Sequence, residues 1–252
     1  MNELRLDMHI HTHFSPDGFT DPRAVLRRAE ERGLDGVAIT DHDEFDPARH
    51  QRLRSETDLL LVPGQEVTTT DGHVLAYFIE SEIESFRSPE AVVEDVHDQG
   101  GLAVFAHPYR LSSDHSEERL NLFDAVERFN ARSGDPGDPR SPNGRTRERL
   151  ETVDSVSVTG GSDSHLPWTI GNAWTVFEAE RSLPSLREAL LEGRSRDRGT
   201  PSYQFNRVLS KGKFMVNYPD ASGWGNSARD SIRWVAQDLK RLATFGSRRG
   251  TR

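Results

Sequence analysis

A rhythm constrains this chain more than any single motif does. Short apolar runs alternate with helix-patterned stretches from residue 4 to residue 191, and most runs end at or near a histidine or a carboxylate. Alternation of this kind is the sequence habit of βα units. Leu4 to Ile10 reads as the first strand. Asp21-Pro22 then supplies a cap and a first-turn proline, Val25, Leu26 and Ala29 an apolar stripe, and Gly33 a stop. Further strands are expected over residues 34–40, 59–62 (ended by Pro63-Gly64), 73–79, 102–106, 125–129, 156–159 and 173–177. Helices are expected from Ser88-Pro89-Glu90 to Gly100-Gly101 and from Ser182 to Leu191. Seven or eight strands within about 195 residues, with no Gly-x-Gly-x-x-Gly after the first, fit an α/β barrel better than an open dinucleotide-binding sheet. The proline- and glycine-rich stretch 133–144 reads as an exposed loop.

A length of 252 residues suits one large domain or a domain with an appendage. The charge divides the chain. Residues 199–252 carry a net +7 and residues 1–198 a net −16. The expectation is a barrel over 1–198 and a basic extension over 199–252. Within the extension, 227–245 reads as an amphipathic helix with Ile232, Val235, Leu239 and Leu242 on one face. Such a helix suits a membrane surface, nucleic acid or a partner; the plainer reading is a helix packed on the acidic body. Tyr203, Phe205, Trp224 and Trp234 among basic residues admit base stacking as well as ordinary packing.

No stretch reaches the roughly 18–20 apolar residues of a membrane span, and Met1 to Asp7 has no apolar signal core. A soluble, cytoplasmic protein is expected. With no cysteine, disulfides, thiolate zinc fingers, iron–sulfur clusters and a cysteine nucleophile are excluded.

The chemistry sits where the strands end. Asp7, His9 and His11 alternate along the first strand and so face one way. Asp41, His42 and Asp43 close the second strand, Glu66 follows the third, His73 opens the next, and His107 closes the strand at 102–106. Asp163 and His165 again share a face. Barrel enzymes build their sites from the carboxyl ends of strands. Unpaired buried carboxylates and imidazoles are costly, so a convergent cluster implies either a metal or a tight polar network.

Asp7-Met8-His9-Ile10-His11-Thr12, Ser15 with Asp17-Gly18, Thr40-Asp41-His42-Asp43, Pro63-Gly64-Gln65-Glu66, Gly72-His73, Ala106-His107-Pro108 and Gly161-Ser162-Asp163-Ser164-His165 form an ordered set. This set resembles the motifs of the PHP (polymerase and histidinol phosphatase) family, in its stand-alone phosphoesterase branch. The resemblance covers about residues 5–195. It implies a distorted (β/α)7 barrel with a two- or three-metal phosphoesterase centre. It further implies that His9, His11, Glu66 and Asp163 hold one ion, that Glu66 bridges to a second shared with His73 and His107, and that Asp17, His42 and His165 hold a third. Ser15-Pro16-Asp17-Gly18 has one residue more than the common Ser-Asp-Gly form. Nitrogen and oxygen ligands without sulfur suit Zn²⁺, Mn²⁺ or Fe²⁺.

The function expected from this resemblance is metal-dependent hydrolysis of a phosphate ester in a small nucleotide or short oligonucleotide. The attack would be in line, by a water shared between ions, with Glu66 and Asp163 essential. Arg110 is expected either to fork onto a substrate phosphate or to serve as a structural arginine. Two other readings are a histidinol-phosphate-type phosphomonoesterase and a non-catalytic nucleic-acid-binding scaffold. The acidic body argues against a long nucleic-acid partner without help from the extension. Asp7 is expected to orient a ligand histidine from behind. His13 is expected in a loop, with proton donation to the leaving group as its alternative. His50, His97 and His115 are read as ordinary surface histidines, and Glu127 and Asn130 as residues of a family strand lining the site.

Overall fold

The computed structural model of the protein describes residues 2–153 and 156–202. The first apolar run forms β1 (Asn2–Ile10), and capped Asp21 starts α1 (Pro22–Glu31), the Asp21 side chain accepting from the Arg23 amide. There follow β2 (Gly36–Ile39), α2 (Pro47–Arg54), β3 (Leu60–Thr68), β4 (His73–Tyr77), α3 (Pro89–Asp98) and β5 (Leu102–Ala106). Two short helices, α4 (Pro108–Leu111) and α5 (Glu117–Asn121), lead to β6 (Ala125–Asn130) and α6 (Pro142–Leu150). The chain ends its described course with β7 (Ser157–Gly161), a 3-10 turn, β8 (Ala173–Ala179), α7 (Leu183–Leu191) and β9 (Ser195–Gly199).

The nine strands form one sheet in the order β7-β6-β5-β4-β3-β2-β1-β8-β9. β4 and β8 run against their neighbours, and the other strands share one direction. The sheet curls into a nearly closed barrel. Its ends meet where Ser195 Oγ donates to Val158 O at 2.8 Å and the Gly160 amide donates to Thr175 Oγ1 at 2.8 Å. At the upper rim the His11 amide donates to Ser164 O at 2.8 Å, joining the end of β1 to the segment after β7. The interior holds fully buried Leu6, Met8, Leu75 and Tyr77, whose hydroxyl donates to Met8 O at 2.6 Å. Among the described residues no helix is long and apolar enough to cross a membrane.

Three expectations change. The third strand does not stop at Pro63-Gly64 but runs to Thr68. Pro63 lacks only a donor, and its carbonyl still accepts from the Phe78 amide at 2.8 Å. At Gly64 a Cβ would stand 3.1 Å from both Ala76 O and Thr40 Cγ2, so the glycine marks close packing rather than a turn. The 133–144 stretch is only partly exposed. Ser133, Asn143 and Gly144 are buried, and the Asn143 side chain donates to Asn130 O and Gly134 O at 2.8 and 2.7 Å. Its last residues open α6, capped by Ser141. Finally β9 (SRDRG) is a strand despite its polar composition, because its backbone pairs along β8, with Asp197 buried and Arg198 exposed. The expected helix over 227–245 and the aromatic residues from Tyr203 onward lie outside the described residues.

Candidate metal centre

The parallel strands point their carboxyl ends at one rim, and the polar strand-end residues gather there. Glu66, on β3, is the hub. Its Oε1 lies 2.7 Å from His73 Nδ1 and 2.9 Å from His107 Nε2. Its Oε2 lies 3.1 Å from His9 Nε2, 3.1 Å from His11 Nε2 and 3.2 Å from His42 Nδ1. One buried carboxylate thus touches five imidazoles contributed by β1 and the residue after it, the segment after β2, β4, and the residue after β5. Asp163 Oδ1 stands 3.4 Å from both His11 Nε2 and His165 Nδ1, and Asp17 Oδ2 is 2.8 Å from His165 Nε2. All nine residues for which the resemblance implies metal ligation come together in this rim. Four sets have ligand atoms within 4.8 Å of one another: His11, His42 and His165; His9, His107 and Asp163; His9, His11 and Glu66; His42, Glu66 and His73.

Neighbouring groups fix which ring nitrogens are free to bind. The Glu127 carboxylate accepts from the His107 amide through Oε2, and its Oε1 lies 2.9 Å from His9 Nδ1. A neutral His9 ring therefore carries its proton on Nδ1 and aims the Nε2 lone pair at Glu66. His11 Nε2 is only 3.1 Å from His9 Nε2. Acceptors so close together need either protons or a cation between them. The electrostatics without a cation express the same demand. Burial alone would lower the pKa of His9, but Glu127, Glu66 and Asp163 hold it well above the usual imidazole range. His11, likewise buried, is carried up to about 9 by Asp163 and Glu66. Burial instead dominates at His42, held at about 4, and at His107 and His165, each held at about 3. Burial would raise both acids, yet His42, His9 and His73 keep Glu66 well below the carboxylate range, and Arg132, Arg110 and His9 do the same for Asp163. Asp17 Oδ1 and His107 Nδ1 are buried without a hydrogen-bond partner among the described residues. These residues fit divalent cations held by nitrogen and oxygen donors.

The backbone bends to deliver two of these groups. His107 has φ 29° and Asp163 φ 49°, sparsely populated conformations that cost about 1–3 kcal/mol each. A bulge in β6 acts similarly. Register shifts between Glu127 and Phe129, which brings both Glu127 and Asn130 to the site although they are three apart. Glu127 Oε2 accepts from the His107 amide at 2.9 Å and from Asn130 Nδ2 at 3.1 Å.

Arg110, on α4, places its guanidinium 2.5 Å from Asp163 Oδ2, inside the site. Asp7 differs from expectation. It touches no imidazole ring; its carboxylate accepts from the backbone amides of His9, Ser162 and Gly171 at 3.3, 2.8 and 2.8 Å. Asp7 thus orients the ligand-bearing backbone, while Glu127 orients the His9 ring. Burial pushes Asp7 up to about 6. His13 is exposed in the loop after β1, its ring against Phe14. His97 is exposed beside Asp124. His50 and His115 are half-buried rather than surface residues, His50 lying against Leu61 O at 3.3 Å and His115 stacking on Tyr109.

Arg132 escaped the sequence reading. It is buried, with Nη1 3.1 Å from Asp163 Oδ1 and 2.7 Å from His165 Nδ1. Its signal was the two-residue step from Asn130, which carries the β6 face onward past the strand end. Also missed was a network in which the Asp41 carboxylate accepts from the Thr12 amide, the Thr12 hydroxyl and the Ser15 hydroxyl, although each residue lay inside a quoted motif.

The chain is also similar to known proteins. The PHP domain pattern matches residues 7–100, and the PHP-associated pattern matches residues 147–195. An uncharacterized protein of Methanocaldococcus jannaschii is 35% identical over 142 residues, covering 51% of this chain and 82% of that protein. The 5'-3' exoribonuclease Rnm of Escherichia coli is 44% identical over 66 residues, 25% of this chain and 22% of that protein. Among solved structures, a two-domain protein from Bacteroides vulgatus, described as containing a predicted PHP-like metal-dependent phosphoesterase, superposes with a TM-score of 0.61. It is 21% identical, and the match covers 84% of this chain and 70% of that one.

Proposed function

The chain belongs to the PHP family, and from that premise we propose that it is a metal-dependent phosphoesterase acting on a small nucleotide or a short oligonucleotide. The observation that carries the reading is the convergence of five imidazoles on the Glu66 carboxylate, flanked by Asp163, Asp17 and two arginines. His9, His11, Glu66, Asp163, His73, His107, Asp17, His42 and His165 would hold two or three divalent ions, Zn²⁺, Mn²⁺ or Fe²⁺. Such ions, when bound, supply a water that ionises near neutral pH and a positive field for the phosphoryl oxygens.

The remaining work falls to the chain's own groups. Glu127 holds His9 in the tautomer that presents Nε2. Arg110 and Arg132 both lie on Asp163 and are the cations positioned to take phosphate oxygens in a forked contact. Burial would lower the pKa of the Arg110 guanidinium, but Asp163 holds it above its ordinary value, so that cation keeps its charge. The similarity to an exoribonuclease, limited to 66 residues, favours a nucleotide or oligonucleotide over a histidinol-type monoester.

The test is Mn²⁺-dependent hydrolysis of a chromogenic phosphodiester against the matching phosphomonoester, with Glu66→Ala as control. Diester preference supports a nuclease-like or cyclic-phosphate role, and monoester preference a metabolite phosphatase. Equal activity in Glu66→Ala at normal metal content would sink the reading, and no activity in either protein would favour the scaffold.

A further inference from the structure

Ser15 lies buried between two ends of the metal centre, and its hydrogen bonds can be counted. A hydroxyl has one proton to give and two lone pairs to receive. Ser15 Oγ donates to Asp41 Oδ1 at 2.9 Å. It accepts from the His42 backbone amide at 2.9 Å, which can only donate. The one remaining lone pair faces His11 Nδ1 at 3.0 Å.

Asp41 acts as an acceptor throughout this network, so the proton in the Ser15–Asp41 contact is the serine's. Asp41 is buried, and its carboxylate accepts from the Thr12 amide at 2.6 Å and from Thr12 Oγ1 at 2.7 Å. With Ser15 giving its proton to Asp41, a neutral His11 ring, as cation binding requires, must place its own proton on Nδ1 and leave Nε2 bare. That bare nitrogen is the one 3.1 Å from Glu66.

We infer that Ser15, held by Asp41, is a positioning residue that sets the His11 tautomer and ties it to the backbone of His42. The centre therefore orients its two β1-side histidines by different means. His9 is fixed by a full carboxylate, Glu127, reached across the barrel. His11 is fixed by a neutral hydroxyl that passes the influence of a more distant carboxylate. This inference rests on the reading of the centre as cation-binding.

The experiment uses the full chain, labelled with ¹⁵N and titrated with Zn²⁺ against a chromogenic chelator. Ring-nitrogen resonances are recorded for the Zn²⁺-loaded protein. In the wild type the expected result is a protected His11 Nδ1–H, with Zn²⁺ on Nε2. A His11 Nδ1 found without its proton overturns the proposal with no variant needed. Ser15→Ala should lose that protected proton and bind Zn²⁺ about 10- to 100-fold more weakly, whereas Ser15→Thr, which restores the hydroxyl, should recover both.

Asp41→Asn keeps an oxygen where Thr12 N–H and the Ser15 hydroxyl need one, so the His11 tautomer should persist. Ser15→Ala with the same ring proton and an affinity within twofold of wild type would refute the role of Ser15. A wild-type chain that binds no Zn²⁺, Mn²⁺ or Fe²⁺ would instead overturn the cation-centre reading itself.

Discussion

Gly161, the last residue of β7, tests whether strand closure positions the centre. A Cβ at this position would lie 2.3 Å from His9 Cβ, 2.9 Å from the His9 amide nitrogen and 3.0 Å from Glu127 Oε1. Non-bonded carbons rest at about 3.5–4.0 Å, so Gly161→Ala must part β7 from β1 by about 1.5 Å. No side-chain rotation relieves this, since the nearest atoms are a Cβ and the backbone. Overpacking of this kind costs about 1–3 kcal/mol. The Ser164 amide reaches His9 O at 3.4 Å and cannot follow the movement, which removes about 1 kcal/mol more. The expected loss is about 2–4 kcal/mol in urea unfolding of the metal-free chain. Because the same movement opens the His9–Glu127 contact, Zn²⁺ affinity should fall about 10- to 100-fold. Gly100→Ala is the control: no atom lies within 4 Å of its Cβ, but its φ of +70° makes any side chain cost about 1–2 kcal/mol. Its Zn²⁺ affinity should be unchanged. A Gly161→Ala protein within about 0.5 kcal/mol of wild type, with normal affinity, would refute the claim that this contact sets the site.

Other outcomes follow from the same geometry. Arg110→Ala should raise KM for a phosphoester about 10- to 100-fold, the worth of a charge-assisted hydrogen bond, without weakening Zn²⁺ binding; a parallel loss of Zn²⁺ affinity would mark Arg110 as structural. For the metal-free chain, pH cuts stability in two directions. His42, His107 and His165 take protons near 6.5 when unfolded but only at about 4, 3 and 3 when folded. Their contribution is complete above about 6.5 and is lost as pH falls from there, at up to about 1.4 kcal/mol per pH unit for each histidine. Asp7, held at about 6, partly offsets this, since its raised value favours the folded state as pH falls through 6. His11, held at about 9, contributes fully below about 6.5 and loses that contribution as pH rises through 9. Melting temperatures of chelator-treated protein should therefore peak near neutrality, and a profile flat from pH 5 to 6.5 would contradict the neutral, buried state of these three histidines.

Much of the centre was legible from local rules. The period of two along β1 put Asp7 and His9 on one face, and both are buried there. Apolar runs located the strand cores, and the residue types at their ends marked the rim, including Glu66 despite the misjudged end of β3. Local rules failed where polar or short segments are held by distant partners. Helix α6 and strand β9 carry little apolar periodicity, so only the surfaces they pack on or pair with reveal them. The role of Asp7 was misjudged for a related reason: proximity along the strand says nothing of which amides the chain brings back to it 155 and 164 residues later.

The sequence by itself therefore determined the candidate donor set, the strand ends that carry it and the exclusion of thiolate chemistry. Those depend on residue type and on periods of two and 3.6, which are local properties of the chain. Tertiary structure alone decided which nitrogen His9 and His11 present. Glu127 reaches His9 across 118 residues, Ser15 mediates between Asp41 and His11, and Arg132 enters through a strand whose register a bulge has shifted. The tautomer of a buried imidazole follows from whatever acceptor stands beside it, and barrel closure chooses that neighbour from parts of the chain that share no local pattern.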